Sequence, residues 1–538
     1  MTMSECLLRA AVTARLLIAQ TMRGLVPALV TAACLGGVAR AQECLPLAPA
    51  GTQGGALLPG ALMNVRFGGT ARTPLALDVY PHADASVRPL AVVLRGGNGT
   101  VGQRSSYVGQ LVETFGDAGY VVATADYRST SPDASTADLT KALRLLTMCH
   151  AAALHVDQYK VIIVAEDSAA PMALRVAARL KELRLGRFAG APAAPAGVVV
   201  VGGRFTSATA PVVPTRIIHG GDDSEVPVAT AHALCKATQA PCDVVEVAGA
   251  GHRSENWWPS QWGYKKDVLA WATSHVGVVP APVRPPVSAT GLRKQVVYDE
   301  AHGLTLDAWV PAGPGPHGAV VIVHGGGWEA GDRVTYVAPM LALAAAQGLG
   351  WVSIDYRLTP QVSNREQVAD VKAALAWVRA HASDLRIDPA RLVLAGESAS
   401  GQLVAHVAAT EPALAGVLSF YGVYDLAAMA GDPASPRSLA RRLFRLTALD
   451  EAGVATLRQY SPLHHASRNL PPMLLAAGTA DRLVAQQRAY AAALWAAGAR
   501  VETIEIEGAP HGMEAWHERA AWRVWEKRVA DWLRRVVK

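Results

Sequence analysis

The sequence predicts an α/β architecture laid down twice, as two tandem domains that each hold a mainly parallel sheet flanked by helices on both faces. Two observations carry this. Three short motifs recur at one spacing: Leu75-Ala76-Leu77-Asp78 as Leu304-Thr305-Leu306-Asp307, Arg95-Gly96-Gly97 as His324-Gly325-Gly326, and Asp126-Tyr127-Arg128 as Asp355-Tyr356-Arg357, all displaced by 229 residues. Self-similarity at one fixed displacement marks a duplicated unit. In the second copy, continuous apolar runs alternate with amphipathic helical stretches, the pattern of strands buried on both faces.

Taken in chain order, residues 1–41 read as an export signal. Basic residues precede an apolar stretch from Leu25 to Val38, and Ala39-Arg40-Ala41 fits small-x-small cleavage before Gln42. The stretch is about 14 residues long, short of the roughly 20 that cross a bilayer, so no stable membrane span is expected. Beyond it stand Cys44, Cys149, Cys235 and Cys242, all in the first half. Four cysteines allow three connectivities. A bridge between Cys235 and Cys242 closes a short segment and leaves Cys44 with Cys149, which fits an oxidising, exported location in periplasm or medium. A metal site is the alternative, but the cysteines lack paired ligand spacing. The first domain spans 42–280. The run Gly277-Val278-Val279-Pro280-Ala281-Pro282-Val283-Arg284-Pro285-Pro286 leads into a proline-rich linker assigned to 281–290, and the second domain spans 291–538.

Composition narrows the function classes. At 538 residues the chain exceeds a single core, and 51% hydrophobic with 17% charged residues is that of a folded protein. Of the formal charge of +6, the leader carries half through Arg9, Arg15, Arg23 and Arg40 against Glu5. No basic run is interleaved with aromatics, so no nucleic-acid partner is expected.

In the second domain, Ala319–Val323 and Trp351–Tyr356 read as strands. Ser363-Asn364-Arg365-Glu366 opens a helix with a capping box. That helix puts Val368, Val371, Leu375 and Val378 on one face. Arg391–Ala395, Pro472–Ala477 and Val501–Ile506 follow as strands. The third of these five runs into Gly396-Glu397-Ser398-Ala399-Ser400-Gly401 and then an apolar helical stretch. A serine at the tip of such a strand–turn–helix is pushed out of the sheet edge, at a helix N-terminus that favours developing negative charge. The alternative is an ordinary cap serine, and Ser400 stands where glycine is usual. Upstream, His324-Gly325-Gly326-Gly327-Trp328 follows a strand, and consecutive glycines let backbone amides approach an oxyanion. Gly478-Thr479-Ala480-Asp481 lies just past a strand, and Pro510-His511-Gly512 follows the last one. The acid and the histidine arrive in the order Ser, Asp, His.

On these motifs, with Asp355-Tyr356-Arg357-Leu358 between them, residues 291–538 resemble the hormone-sensitive-lipase-like and related bacterial carboxylesterases of the α/β-hydrolase superfamily. The resemblance implies Ser398 as nucleophile, His511 as general base and Asp481 as the acid fixing the imidazole tautomer. It implies an oxyanion hole from the amides of Gly326, Gly327 and Ala399. It implies no cofactor and no metal.

The first domain aligns Ala165-Glu166-Asp167-Ser168-Ala169-Ala170 with the serine turn, so Asp167 takes the nucleophile position. Arg95-Gly96-Gly97-Asn98 replaces the glycine-rich loop, while Asp223 and His252 match Asp481 and His511. The acid and base remain and the serine has gone. Three readings stand: a silent domain serving binding or structure, an aspartate nucleophile, and Ser168 acting from a shifted turn. Arg95 is a candidate to pair with Asp167. The copies also differ in length, with 83 residues from Ser398 to Asp481 but 56 from Asp167 to Asp223. The surplus centres on 421–460, as a small lid or as a surface helix pair.

The expected function is hydrolysis of carboxylic esters, on a small molecule or on acetylated or feruloylated polysaccharide, with Trp257, Trp258 and Trp262 as candidate sugar platforms. An amidase, formamidase or peptidase uses the same triad. A binding protein with both domains degenerate is the contrasting class, and the intact second constellation argues against it. The oligomeric state is not legible.

Overall fold

The computed structural model describes residues 44–49, 55–70, 74–96, 108–185, 191–205, 210–252, 265–411, 413–435, 438–516 and 520–537. The leader, Gly97, Asn98 and the tryptophans 257, 258 and 262 lie outside the described residues. The chain divides into two compact units, Met1–Pro46 and Leu47–Lys538.

The unit Leu47–Lys538 holds two eight-stranded sheets of one design. The first comprises β1 (Leu62–Gly69), β2 (Pro74–Tyr80), β3 (Arg88–Leu94), β4 (Val121–Ala125), β5 (Val156–Glu166), β6 (Gly197–Val201), β7 (Thr215–Gly220) and β8 (Cys242–Val247). The second comprises β9 (Leu292–Asp299), β10 (Leu304–Trp309), β11 (His317–Val323), β12 (Gly350–Ile354), β13 (Ile387–Glu397), β14 (Gly416–Phe420), β15 (Met473–Gly478) and β16 (Val501–Ile506). Their orders are β1-β2-β4-β3-β5-β6-β7-β8 and β9-β10-β12-β11-β13-β14-β15-β16. In each sheet the first two pairings are antiparallel and the others parallel. The five strand runs named from the sequence are β11, β12, β13, β15 and β16; β14, only five residues long, was not among them.

The recurring motifs do the same structural work in both copies. Asp126 and Asp355 each donate their amide to β2 or β10, at Ala76 O and Thr305 O. Arg128 forks onto Asp138 and Arg357 onto Asp370. Tyr127 and Tyr356 donate their hydroxyls to the carbonyls of Arg95 and His324. The helix Asn364–Ala380 starts at Ser363, whose capping box with Glu366 forms, and its Val368, Val371, Leu375 and Val378 are buried.

Each sheet has one face of its own and one face in common. Leu90, Val92 and Leu94 of β3 pack with the helices Pro132–Arg144 and Ala170–Leu185, whereas Ala91 and Val93 face the other way. The same alternation in β11 sends Val321 and Val323 to a separate core and Val320 and Ile322 to the shared one. A single apolar core thus runs through both copies, filled by the helices Gly109–Asp117, Lys265–Val276, Ala338–Ala346 and Val524–Val536. Each copy covers an apolar face with the other. The segment 277–286 lies along the first copy, where Arg88 donates to the carbonyls of Pro280 and Ala281 at 2.8 and 2.9 Å.

Cys235 and Cys242 form a disulfide, and Cys149 is also disulfide-bonded. No helix among the described residues is long and apolar enough to cross a membrane.

Candidate active sites

In the second copy β13 ends at Glu397 and the helix Ala399–Ala408 begins two residues later, so Ser398 must turn the chain alone. It does so at φ 54°, ψ −116°. A non-glycine residue at positive φ stores roughly 1–3 kcal/mol of strain, and such strain gathers at functional sites. Its neighbours are small for a steric reason. A Cβ on Gly396 would lie 2.6 Å from Ser400 O, and one on Gly401 would lie 2.6 Å from Gly422 Cα. Ser400, in the position where glycine is usual, turns its hydroxyl inward. It accepts from the Glu397 amide at 2.8 Å and reaches Val323 O at 2.7 Å, which ties the turn to β11.

The strand ends deliver the partners. His511 Nδ1–H donates to Asp481 Oδ2 at 2.7 Å, and its Nε2 lies 3.0 Å from Ser398 Oγ. With Nδ1 protonated toward the carboxylate, Nε2 is free to accept the serine proton. Asp481 is buried, and its other oxygen takes the Leu483 amide at 2.9 Å. Tyr421 meets the imidazole edge-on at 4.6 Å and accepts the Met513 amide, holding the histidine loop from below.

A cavity of about 300 Å³ opens over Ser398, walled by Gly327, Ala399, Val423, Met429, Leu439 and Arg442 among others. Gly327 and Ala399 belong to that wall; Gly326 stands one step back, its carbonyl taking the amides of Glu329 and Ala330. Ala399 opens its helix, so its amide has no acceptor within the helix. The surplus segment folds as the helices Leu439–Phe444 and Glu451–Gln459, and Arg442 from the first of these donates to Gly327 O at 3.0 Å. Sequence reasoning missed the network under the glycine loop: Trp328 Nε1 donates to Gln402, which also meets Asn364, while Gln367 holds Trp328 O. Gln402 sits four residues after Ser398, and that spacing was the available signal. A second cavity, about 760 Å³, lies behind the loop, against Glu113, His324, Arg333 and Asp355.

Residues 320–515, which contain this whole arrangement, match the family model of the alpha/beta hydrolase fold. This region has the α/β-hydrolase fold. The chain is 30% identical over 271 residues to esterase LipC of Mycobacterium tuberculosis, covering 44% of this chain and 65% of that protein. It is 31% identical over 230 residues to esterase LipQ of the same organism, covering 39% and 54%. It thus spans less than two thirds of these relatives. Esterase 2 of Thermogutta terrifontis aligns over 47% of this chain and 96% of its own, at 28% identity and a TM-score of 0.39.

The first domain keeps the frame of this site and closes it. Asp167 occupies the turn after β5 at φ 47°. His252 Nδ1–H donates to Asp223 Oδ2 at 2.8 Å, and its Nε2 lies 3.1 Å from Asp167 Oδ1. The guanidinium on the Asp167 carboxylate is that of Arg204, at 2.6 Å, rather than the Arg95 suggested by sequence. Arg204 comes from the loop after β6, at the place where the second domain has Val423, and Glu225 holds its other end at 2.8 Å. The hydrogen bond to Asp167 raises His252 to about 9, with Asp223 adding to the effect and burial opposing it. Burial alone would raise Asp167, but His252 and Arg204 hold it below the usual carboxylate range. The His252 side chain is 7% exposed, against 42% for His511.

Proposed function

We propose that the second hydrolase domain is a serine carboxylic ester hydrolase and that the first is catalytically silent. The observation that carries the reading is Ser398 Oγ 3.0 Å from His511 Nε2, at a strained turn opening into the cavity. In this mechanism His511 takes the Ser398 proton as Oγ attacks the ester carbonyl. The amides of Gly326, Gly327 and Ala399 receive the oxyanion, and Asp481 stabilises the imidazolium. Collapse expels the alcohol with the proton from His511, and water then releases the acyl group by the same steps.

The relatives bear the name esterase, and a cavity of about 300 Å³ suits a short acyl group. Acetyl or feruloyl esters of polysaccharide are the substrates proposed within that class. Leu439 and Arg442 in the cavity wall support a lid role for the 421–460 segment. The cysteine bridges support export. In the first domain a protonated His252 between two carboxylates has no base to offer, and the Asp167 carboxylate is held by two cations.

The test is a panel of p-nitrophenyl esters from acetate to palmitate, run beside acetylated and feruloylated xylan. The reading expects turnover to fall as the chain lengthens, and Leu439→Ala to shift the profile toward longer chains. No ester turnover across the panel would defeat it.

A further inference from the structure

The glycine-rich loop of the second domain is held from outside that domain. Residues 326–330 close on themselves: Ala330 N donates to Gly326 O at 3.0 Å, and a Cβ on Gly326 would lie 2.2 Å from Ala330 O. Gly331 then passes directly beneath the loop, where a Cβ would stand 2.6 Å from His324 Nδ1 and 3.0 Å from Gly325 O. Any movement of the leg 331–335 is therefore passed to the loop by hard contact. Two second-domain carboxylates hold this leg: Arg333 reaches Asp307 at 2.9 Å and Asp355 at 3.2 Å.

Ser353 adds a hydrogen bond to Arg333 O at 2.7 Å, and a further grip comes from one helix of the silent domain, Gly109–Asp117. Glu113 is buried against Arg333 at 3.3 Å and also pairs with Lys294. Gln110 takes the Thr335 hydroxyl at 3.2 Å. Gly109 lies so near the leg that a Cβ there would sit 2.7 Å from Val334 O. The equivalent helix of the second domain, Ala338–Ala346, follows the leg directly and packs in the shared core with it.

We propose that the first domain has become a buttress in cis for the oxyanion loop of the second, with Gln110 and Glu113 as positioning residues. This rests on the serine-hydrolase reading. The Glu113 carboxylate touches no reacting atom. It acts through Arg333 and Gly331 to fix where the amides of Gly326 and Gly327 point. Donors set for a transition-state oxygen lose rate steeply when displaced by fractions of an ångström.

The test is a wedge placed in the full-length protein. Gly109→Ala leaves every second-domain residue and every charge unchanged, yet forces Val334 to move. It should lower kcat on p-nitrophenyl acetate by about tenfold with KM within twofold, since the loss is confined to the transition state. Affinity for a trifluoromethyl ketone, whose adduct on Ser398 places an oxyanion in the hole, should fall by the same factor. Glu113→Gln should act in the same sense by about threefold, and provides the answer should the wedge not fold. Gly116→Ala, on the same helix but directed at Leu58 and Arg284, should retain wild-type kcat. Wild-type kcat and inhibitor affinity in both Gly109→Ala and Glu113→Gln would overturn the proposal while leaving the esterase reading intact. An equal loss in Gly116→Ala would also overturn it. Absence of ester turnover in the wild type would instead remove the reading on which it rests.

Discussion

The two domains share a strand order, a turn at positive φ and a hydrogen-bonded Asp–His pair, yet one site is open and the other locked. In the second, Ser398 meets His511 through a hydrogen bond beneath a cavity. In the first, Asp167 meets His252 through an ion pair, and Arg204 seals the far side. The lesson is that the frame and the chemistry are separable. The strained turn, the buried acid and the histidine loop are imposed by strand ends and persist as structure. Reactivity hangs on one side chain and on whether a cation has moved in beside it.

The sharpest way to break this comparison is to remove the hydroxyl from one site and the charge from the other. Ser398→Ala should lower ester turnover by roughly 10⁴- to 10⁶-fold, since triad members act as a unit, whereas Asp167→Asn should leave it within twofold. Matching losses from both changes, measured as kcat on p-nitrophenyl acetate, would mean two working sites.

A smaller effect sharpens the electrostatic half of the contrast. His252 is raised to about 9 from an ordinary 6.5. Its contribution to stability is therefore complete below pH 6.5 and is lost as pH climbs through 9. The wild-type melting temperature should fall between pH 7 and 9.5, and Asp167→Asn should flatten that fall. In the variant the His252 imidazole resonance should titrate at lower pH. A wild-type His252 that titrates in the ordinary range would show that no His252–Asp167 ion pair locks the first site.

Much of this was legible in the sequence, for identifiable reasons. The constant displacement of 229 residues survives as far as Asp355-Tyr356-Arg357 because these motifs brace the sheet in both copies. Ser398, Asp481 and His511 were legible because each follows a strand and the fold dictates their order. Arg204 was not. It lies in the loop after β6, and the 37 residues from Asp167 to Arg204 against 25 from Ser398 to Val423 break the register before that loop, so nothing upstream aligned the two. The shared core was also hidden. An apolar face on Gly109–Asp117 or Ala338–Ala346 reads alike whether its own sheet or the other copy covers it. The inward hydroxyl of Ser400 depends on the carbonyl of Val323, 77 residues away, a contact no local pattern announces.

The central claim, that one domain does the chemistry and the other does not, is tested most directly by a fluorophosphonate probe followed by peptide mapping of the full-length protein. The probe reacts with a serine activated by its base and leaves an ion-paired aspartate unmarked. The account predicts one adduct per chain, on Ser398, abolished by Ser398→Ala and unchanged by His252→Ala. An adduct on Ser168, or ester turnover that persists after Ser398 is fully modified, would contradict it.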